Sequence, residues 1–123
     1  MTLAVRTKVL GHAWIIYFLS AKDFRRKYGG NCLGVAECDD RQISLLARNI
    51  KAETVIHELH HAYIGELCVD VADLSGDQME EVCSDLMARY GARLLKQADQ
   101  VLSKYQRLKV KSKVDKSKKK ARN

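Results

Sequence analysis

AETVIHELHHAYIGELC, residues 52–68, is the stretch on which the fold prediction depends. It reads as a helix, on which residues four positions apart share a face. His57 and His61 can therefore direct two imidazole nitrogens at one metal ion, with Glu58 beside them. His60 is out of phase with this pair and is expected to flank the site. Three of the chain's four histidines fall within five positions, so the stretch predicts a metal-binding helix.

The residues before this helix predict a small sheet of about three strands. Residues 8–19 contain a run of seven apolar side chains, which is typical of a buried strand. A short charged helix is expected over residues 21–28. Residues 33–38 and 41–48 then read as two strands of a hairpin, with the turn at Asp39-Asp40.

The residues after the metal-binding helix predict a second, longer helix. Apolar residues keep a spacing of three and four over residues 78–108, and the spacing disappears after Leu108. We expect disorder from there onward because lysines dominate. The predicted organisation is an α+β domain over residues 1–108 followed by a basic flexible tail, residues 109–123.

The net charge of +7 belongs mainly to the end of the chain. Residues 104–123 hold ten Lys or Arg and a single Asp, a balance of +9, which leaves −2 for the other 103 residues. Such a segment attracts polyanions through counterion release, without sequence specificity. Nonspecific binding of nucleic acid through residues 104–123 and a purely solubilising role both remain open.

Composition also predicts the cellular compartment. The longest apolar run, residues 13–19, is too short to cross a bilayer. The first residues lack the pattern of a secretory signal. We therefore expect a cytoplasmic protein with no membrane partner. Its cysteines show no C-x-x-C spacing and are expected to be reduced thiols; they are Cys32, Cys38, Cys68 and Cys83.

Catalytic zinc usually has three protein ligands and one open position, so His57 and His61 require a third ligand. No further histidine follows at the spacing of an all-histidine site. The candidates are Glu80 and Glu81, at the start of the second long helix. Simple periodicity favours Glu80, because Glu81 lies at the border of the apolar stripe.

A second pattern, Glu81-Val82-Cys83-Ser84-Asp85, gives the chain a resemblance to a known family. Residues 57–61 form the pattern HExxH, and E-x-x-S-D follows about twenty residues later. This combination resembles the gluzincin metallopeptidases, including the ImmA/IrrE-type proteins of bacteria and phages. SprT-like minimal zincins have a similar outline. The resemblance spans residues 33–95 and implies a minimal zincin-like domain with Zn²⁺. It also implies that Glu81 is the third ligand and that Asp85 supports a ligand histidine.

These observations predict a zinc-dependent endopeptidase that hydrolyses peptide bonds of a cytoplasmic protein. Glu58 would act as general base on a zinc-bound water. The strand at residues 41–48 is expected at a sheet edge, where an extended peptide substrate can pair with it. The alternative is a non-proteolytic zinc-containing regulatory or nucleic-acid-associated protein that acts through its basic tail. The sequence does not rank the side chains that could stabilise a transition state: Tyr17, Tyr28, Tyr63, Tyr90, His12 and His60.

Overall fold

The computed structural model describes residues 2–67 and 71–122. In this part of the chain, four strands and three α-helices form an α+β fold, which confirms the predicted class and the long C-terminal helix. A single 3-10 turn, Val71–Asp73, precedes the last helix. The elements are β1 (Leu3–Val9), β2 (His12–Leu19), α1 (Ala21–Tyr28), β3 (Gly34–Glu37), β4 (Gln42–Leu46), α2 (Ala52–Glu66) and α3 (Gly76–Arg122).

The sheet has the strand order β1-β2-β4-β3, one strand more than the sequence predicted. The single strand expected over residues 8–19 is the second half of an antiparallel hairpin, β1–β2. Its two-residue turn consists of Leu10, with a φ of 48°, and Gly11, with a φ of 84°. Leucine is not a residue that marks such turns, so the turn was missed and β1 with it.

The position of β4 also differs from the prediction. β4 pairs in parallel with β2 on one side and antiparallel with β3 on the other, so it is internal and not at a sheet edge. The edge prediction for residues 41–48 was therefore wrong. The reason is topological: the tight β3–β4 hairpin directs β3 outward, and α1 and β3 together form the connection that parallel pairing of β2 with β4 requires.

The core lies between one face of the sheet and the helices α2 and α3. Its central side chains are all buried and come from the sheet, α2 and α3: Trp14, Ile16, Phe18, Ile43, Leu45, Val55, Leu59, Tyr63, Leu94, Val101 and Tyr105. The rings of Phe18 and Tyr105 stack with centroids 3.9 Å apart. On the other face, Tyr28 of α1 donates a hydrogen bond of 2.9 Å to the buried hydroxyl of Ser44. Helix α1 thus covers the part of the second face formed by β2 and β4.

Helix α3 continues to Arg122, whereas disorder was expected after Leu108. Residues 109–122 contain no glycine or proline and are rich in lysine, a good helix former. Extending an existing helix requires no new nucleation, so the helix persists although Val110 and Val114 are exposed. None of the helices in the described residues combines the length and apolarity needed to cross a membrane.

A buried polar network joins α2, α3 and β1 through Gln97. The Gln97 side chain is 8% exposed and accepts a hydrogen bond of 2.7 Å from the hydroxyl of Tyr63. Its amide nitrogen donates to the Thr7 hydroxyl at 2.7 Å and to the Lys8 carbonyl at 2.6 Å. Because a buried polar group without a partner is costly, this network fixes α3 against β1.

Replacing Gln97 by alanine tests the network. We expect Gln97→Ala to lower the free energy of unfolding by about 2–3 kcal/mol, because it leaves the Tyr63 hydroxyl without its acceptor and opens a cavity. Urea denaturation followed by circular dichroism measures the change. Gln100→Ala, at an exposed position of the same helix, is the matched control. Equal losses for the two variants would contradict the assigned role of Gln97.

Candidate metal centre

The local sequence explains where α2 begins. Asn49 follows β4 with a φ of 54°, a conformation that asparagine tolerates better than most residues. Lys51 is extended and precedes the first helical residue. Glu53, in the first turn, interacts favourably with the positive end of the helix dipole. α2 contacts the edge strand β3 and the helix α3, so its exposed side borders both elements.

His57 and His61 lie together on the exposed side of α2, as the spacing predicted. Their Nε2 atoms are 3.2 Å apart. Two nitrogen ligands of a tetrahedral zinc ion, each about 2.1 Å from the metal, are separated by about 3.4 Å. The two imidazoles therefore fit the requirement for sharing one ion, both in donor type and in separation.

Glu58 is buried beside this pair, with only 5% of its surface exposed. Its Oε1 atom lies 3.9 Å from Nε2 of His57. Burial raises the pKa of the Glu58 carboxyl, and the positive charges of His61 and His57 partly oppose this change. A carboxyl group whose pKa is raised toward neutrality is suited to accepting and returning a proton.

Gly34 makes room for Glu58, a role that the sequence analysis missed. A Cβ atom added at Gly34 would lie 2.8 Å from Cγ of Glu58 and 3.0 Å from Cδ2 of Leu45. Only glycine therefore allows β3 to approach the buried carboxylate this closely. The available signal was a glycine at the start of a predicted strand, which often marks a close approach of the backbone.

A second glycine allows the β3–β4 turn to contact the other end of α2. A Cβ atom at Gly65 would lie 2.7 Å from Sγ of Cys38. The Cys38 thiol donates a hydrogen bond of 3.7 Å to the carbonyl of His61. Cys38 therefore links the hairpin directly to the backbone of a candidate ligand.

Glu66 links the last turn of α2 to the sheet through hydrogen bonds. Its side chain is only 6% exposed and accepts hydrogen bonds from Nε1 of Trp14 at 2.8 Å and from Nε of Arg41 at 2.7 Å. Arg41, by donating this bond, makes the largest contribution to lowering the pKa of the Glu66 carboxyl. His12 Nε2 lies 3.4 Å from the same carboxylate, which gives this histidine a structural position away from His57 and His61.

The structure does not place the predicted third ligand, Glu81, beside His57 and His61. Among residues 2–67 and 71–122, no group of three or more His, Cys, Asp and Glu side chains is placed to hold a metal ion. Glu81 and Asp85 are exposed and line a separate depression on α3, together with Glu80. The structure thus assembles His57, Glu58 and His61, whereas Glu81 and Asp85 stay predictions.

His60 does not join the pair, as its helical phase predicted. Its Nε2 atom is buried and has no hydrogen-bond partner among the described residues. Burial lowers the pKa of this imidazole, and the positive charges of His61 and His57 lower it further. The cysteines Cys32, Cys38 and Cys83 are free thiols in the structure, and Cys68 lies outside the described residues.

An open cleft of about 810 Å³ borders the candidate site. Its walls are the loop before β3, the segment between β4 and α2, and the first two turns of α2. His57 and Glu58 line one side of it. A chain segment lying in this cleft would therefore pass beside both the buried carboxylate and one of the candidate metal ligands.

Comparison with known proteins gave no match: no family model, no curated protein and no solved structure is similar to this chain. The resemblance to gluzincins consequently rests on the residues of the two patterns alone.

The contact between Gly34 and Glu58 can be tested by a double-mutant cycle. We expect Gly34→Ala to destabilise the protein by about 1–3 kcal/mol, because the added methyl group overpacks the site. In a Glu58→Ala background the penalty should be smaller, because Cγ of residue 58 is then absent. Urea denaturation gives both values. Gly30→Ala, where a Cβ atom meets nothing within 4 Å, is the control. Equal penalties in both backgrounds would exclude the contact.

Proposed function

We propose that the protein is a zinc-dependent endopeptidase of the gluzincin type that hydrolyses peptide bonds of a cytoplasmic protein. The observation that carries this proposal is the arrangement of one short helical segment. Two imidazole nitrogens lie 3.2 Å apart on its exposed side, and the carboxylate between their positions in the sequence is buried beside them. A buried carboxylate adds little to a purely structural metal site, whereas hydrolysis requires a base next to the metal.

The chemistry assigned to this site divides between the metal and Glu58. Zinc, when bound by His57 and His61, supplies a Lewis acid that polarises a peptide carbonyl and acidifies a water molecule. Glu58 accepts the proton of the attacking water and returns it to the leaving amine. Its burial supports this role because the raised pKa favours holding the proton between the two steps.

Substrate pairing is assigned to β3 rather than to β4. β3 is the edge strand and lies against α2 at Glu58, and the cleft begins at its first residue, Gly34. An extended peptide can add to such an edge through main-chain hydrogen bonds. This mode of recognition suits a target segment that is unfolded or flexible.

Proteolysis can be tested directly with the zinc-loaded protein and a library of peptides derived from digested cell lysate. We expect cleavage by the wild-type protein and a loss of at least about a hundredfold in Glu58→Gln, which removes the general base. Mass spectrometry of new peptide termini is the readout. Asp99→Asn, an exposed carboxylate on α3 that does not line the cleft, is the matched control and should retain activity. Cleavage by Glu58→Gln at the wild-type rate would contradict the assignment.

We also assign the third zinc ligand to Glu81 and the support of a ligand histidine to Asp85. The support is the family resemblance and the contact between α2 and α3. We expect Glu81→Ala to weaken zinc affinity by at least about tenfold, as the loss of a ligand does. Glu80→Ala should change it little. Competition with a chromophoric chelator measures both affinities. A larger effect of Glu80→Ala would transfer the ligand role to that residue.

The basic end of α3 favours a second candidate, a non-proteolytic zinc-containing regulatory or nucleic-acid-associated protein. Residues 109–122 are helical and carry eight Lys or Arg against one Asp. In this alternative, the phenotype that the protein produces in cells survives Glu58→Gln. The phenotype is lost when the lysines of residues 109–122 are replaced by glutamine. The endopeptidase proposal predicts the opposite for Glu58→Gln.

A further inference from the structure

A basic groove runs between the edge strand β1 and helix α3, away from the candidate metal site. It consists of two adjoining depressions of about 660 and 340 Å³, which share Arg6 and Lys104 in their linings. We define the basic groove by its cationic side chains, all of them exposed: Arg6, Lys8, Arg93, Lys96, Lys104, Arg107 and Lys111. Lys104, Arg107 and Lys111 belong to the basic segment, residues 104–123, that the sequence already marked as polyanion-binding. The other four cations join them only through the fold, which brings β1 beside α3.

The charges of the basic groove are not neutralised by the protein. No Asp or Glu lines either depression, and Asp99 borders only a neighbouring one. Within the described part of the chain, none of the seven cations forms an ion pair. Like charges that face each other across a groove repel, and this cost is recovered when an anionic ligand binds between them.

The dimensions of the groove favour a long ligand with repeated negative charges. α3 rises about 1.5 Å per residue, so Arg93 and Lys111 are about 27 Å apart along the helix. Beyond Lys111 the helix carries further lysines to its end at Arg122. Double-stranded nucleic acid presents a negative charge about every 1.7 Å along its axis, so a duplex can contact the groove and the end of α3 together.

Single-stranded nucleic acid and membranes fit this surface less well. Single-strand binding relies on exposed aromatic side chains that stack with bases, but Tyr105, the aromatic residue of this part of α3, is buried against Phe18. Helices that lie on membranes have a continuous apolar face. Beyond Leu108, the large exposed apolar side chains of the described residues are only Val110 and Val114.

We propose that the basic groove binds the phosphate backbone of double-stranded nucleic acid, with the end of α3 extending the contact. The inference is independent of the proposed peptidase activity, since it uses none of the residues of the metal site. Arg6 on β1 and Arg93 and Lys104 on α3 all contact phosphates. Because these contacts come from two elements, they orient the duplex along β1 and α3. Binding is expected to be independent of base sequence, because phosphate contacts carry no sequence information.

The test compares two variants that lose the same three charges. The groove variant carries Arg6→Gln, Arg93→Gln and Lys104→Gln; the control variant carries Lys22→Gln, Arg25→Gln and Arg26→Gln on α1, where all three residues are exposed. Both retain the basic end of α3. Binding to fluorescein-labelled DNA and RNA duplexes of random sequence is measured by fluorescence anisotropy at several salt concentrations, and circular dichroism confirms folding.

We expect the groove variant to bind duplex at least about tenfold more weakly and to show a salt dependence reduced by roughly two to three ion equivalents. The control variant should remain within about twofold of wild type. Equal weakening of both variants would overturn the proposal, because the effect would then reflect total charge. Should the groove variant fail to fold, Arg93→Gln with Lys96→Gln and Lys104→Gln, exposed on α3 alone, replaces it and still retains the basic end of α3.

Two further binding comparisons identify the ligand of the basic groove. Comparison of DNA with RNA duplexes shows which form the groove prefers, and either preference supports the proposal. Phosphatidylserine vesicles and polyglutamate serve as the other polyanions. Binding to either of them that exceeds duplex binding and is equally sensitive to the groove substitutions would overturn the proposal in favour of a membrane surface or an acidic protein.

Discussion

The contact between α2 and the β3–β4 hairpin is the constraint on which the candidate site depends. It is made at two glycines: Gly34 leaves space for the side chain of Glu58, and Gly65 leaves space for the thiol of Cys38. On α2, His57 directly precedes the first of these contacts, and His61 lies between the two. Because a Cβ atom at either glycine would come closer than 3.0 Å to its neighbour, the distance between helix and hairpin cannot vary without cost. The burial of Glu58, and with it the raised pKa, follows from this close packing.

Helix α2, the β3–β4 hairpin and helix α1 could be predicted because each has a local signal. Residue spacing revealed the helical face of His57 and His61, and alternating residues around Asp39-Asp40 revealed the hairpin. β1 could not be predicted in the same way, since its turn contains Leu10 at a positive φ. The order of strands depends on pairing between distant residues, such as Ile16 with Ile43, which no local pattern encodes.

The site itself was only partly accessible from the sequence. The burial of Glu58 and the role of Gly34 arise from tertiary packing, so periodicity could not reveal them. Glu81 was assigned from a family resemblance, and the structure places it in a depression apart from the histidines. At the end of α3, the information was present in the sequence but was outweighed by charge density, which suggested disorder. Helix propensity and the absence of glycine and proline support a continuous helix to Arg122. The sequence showed positive charge concentrated in residues 104–123. In the fold, the cations of β1 lie beside those of α3 and form the basic groove with them.

The most direct test of the account is the zinc content of the purified protein, measured by elemental mass spectrometry after zinc loading and removal of free metal. We expect about one zinc per chain in the wild type and in His12→Ala, whose histidine lies beside Glu66 rather than at the site. We expect that zinc to be lost in His57→Ala and in His61→Ala. Zinc bound equally by all four proteins, or by none of them, would contradict the central claim that this helical segment is a metal centre.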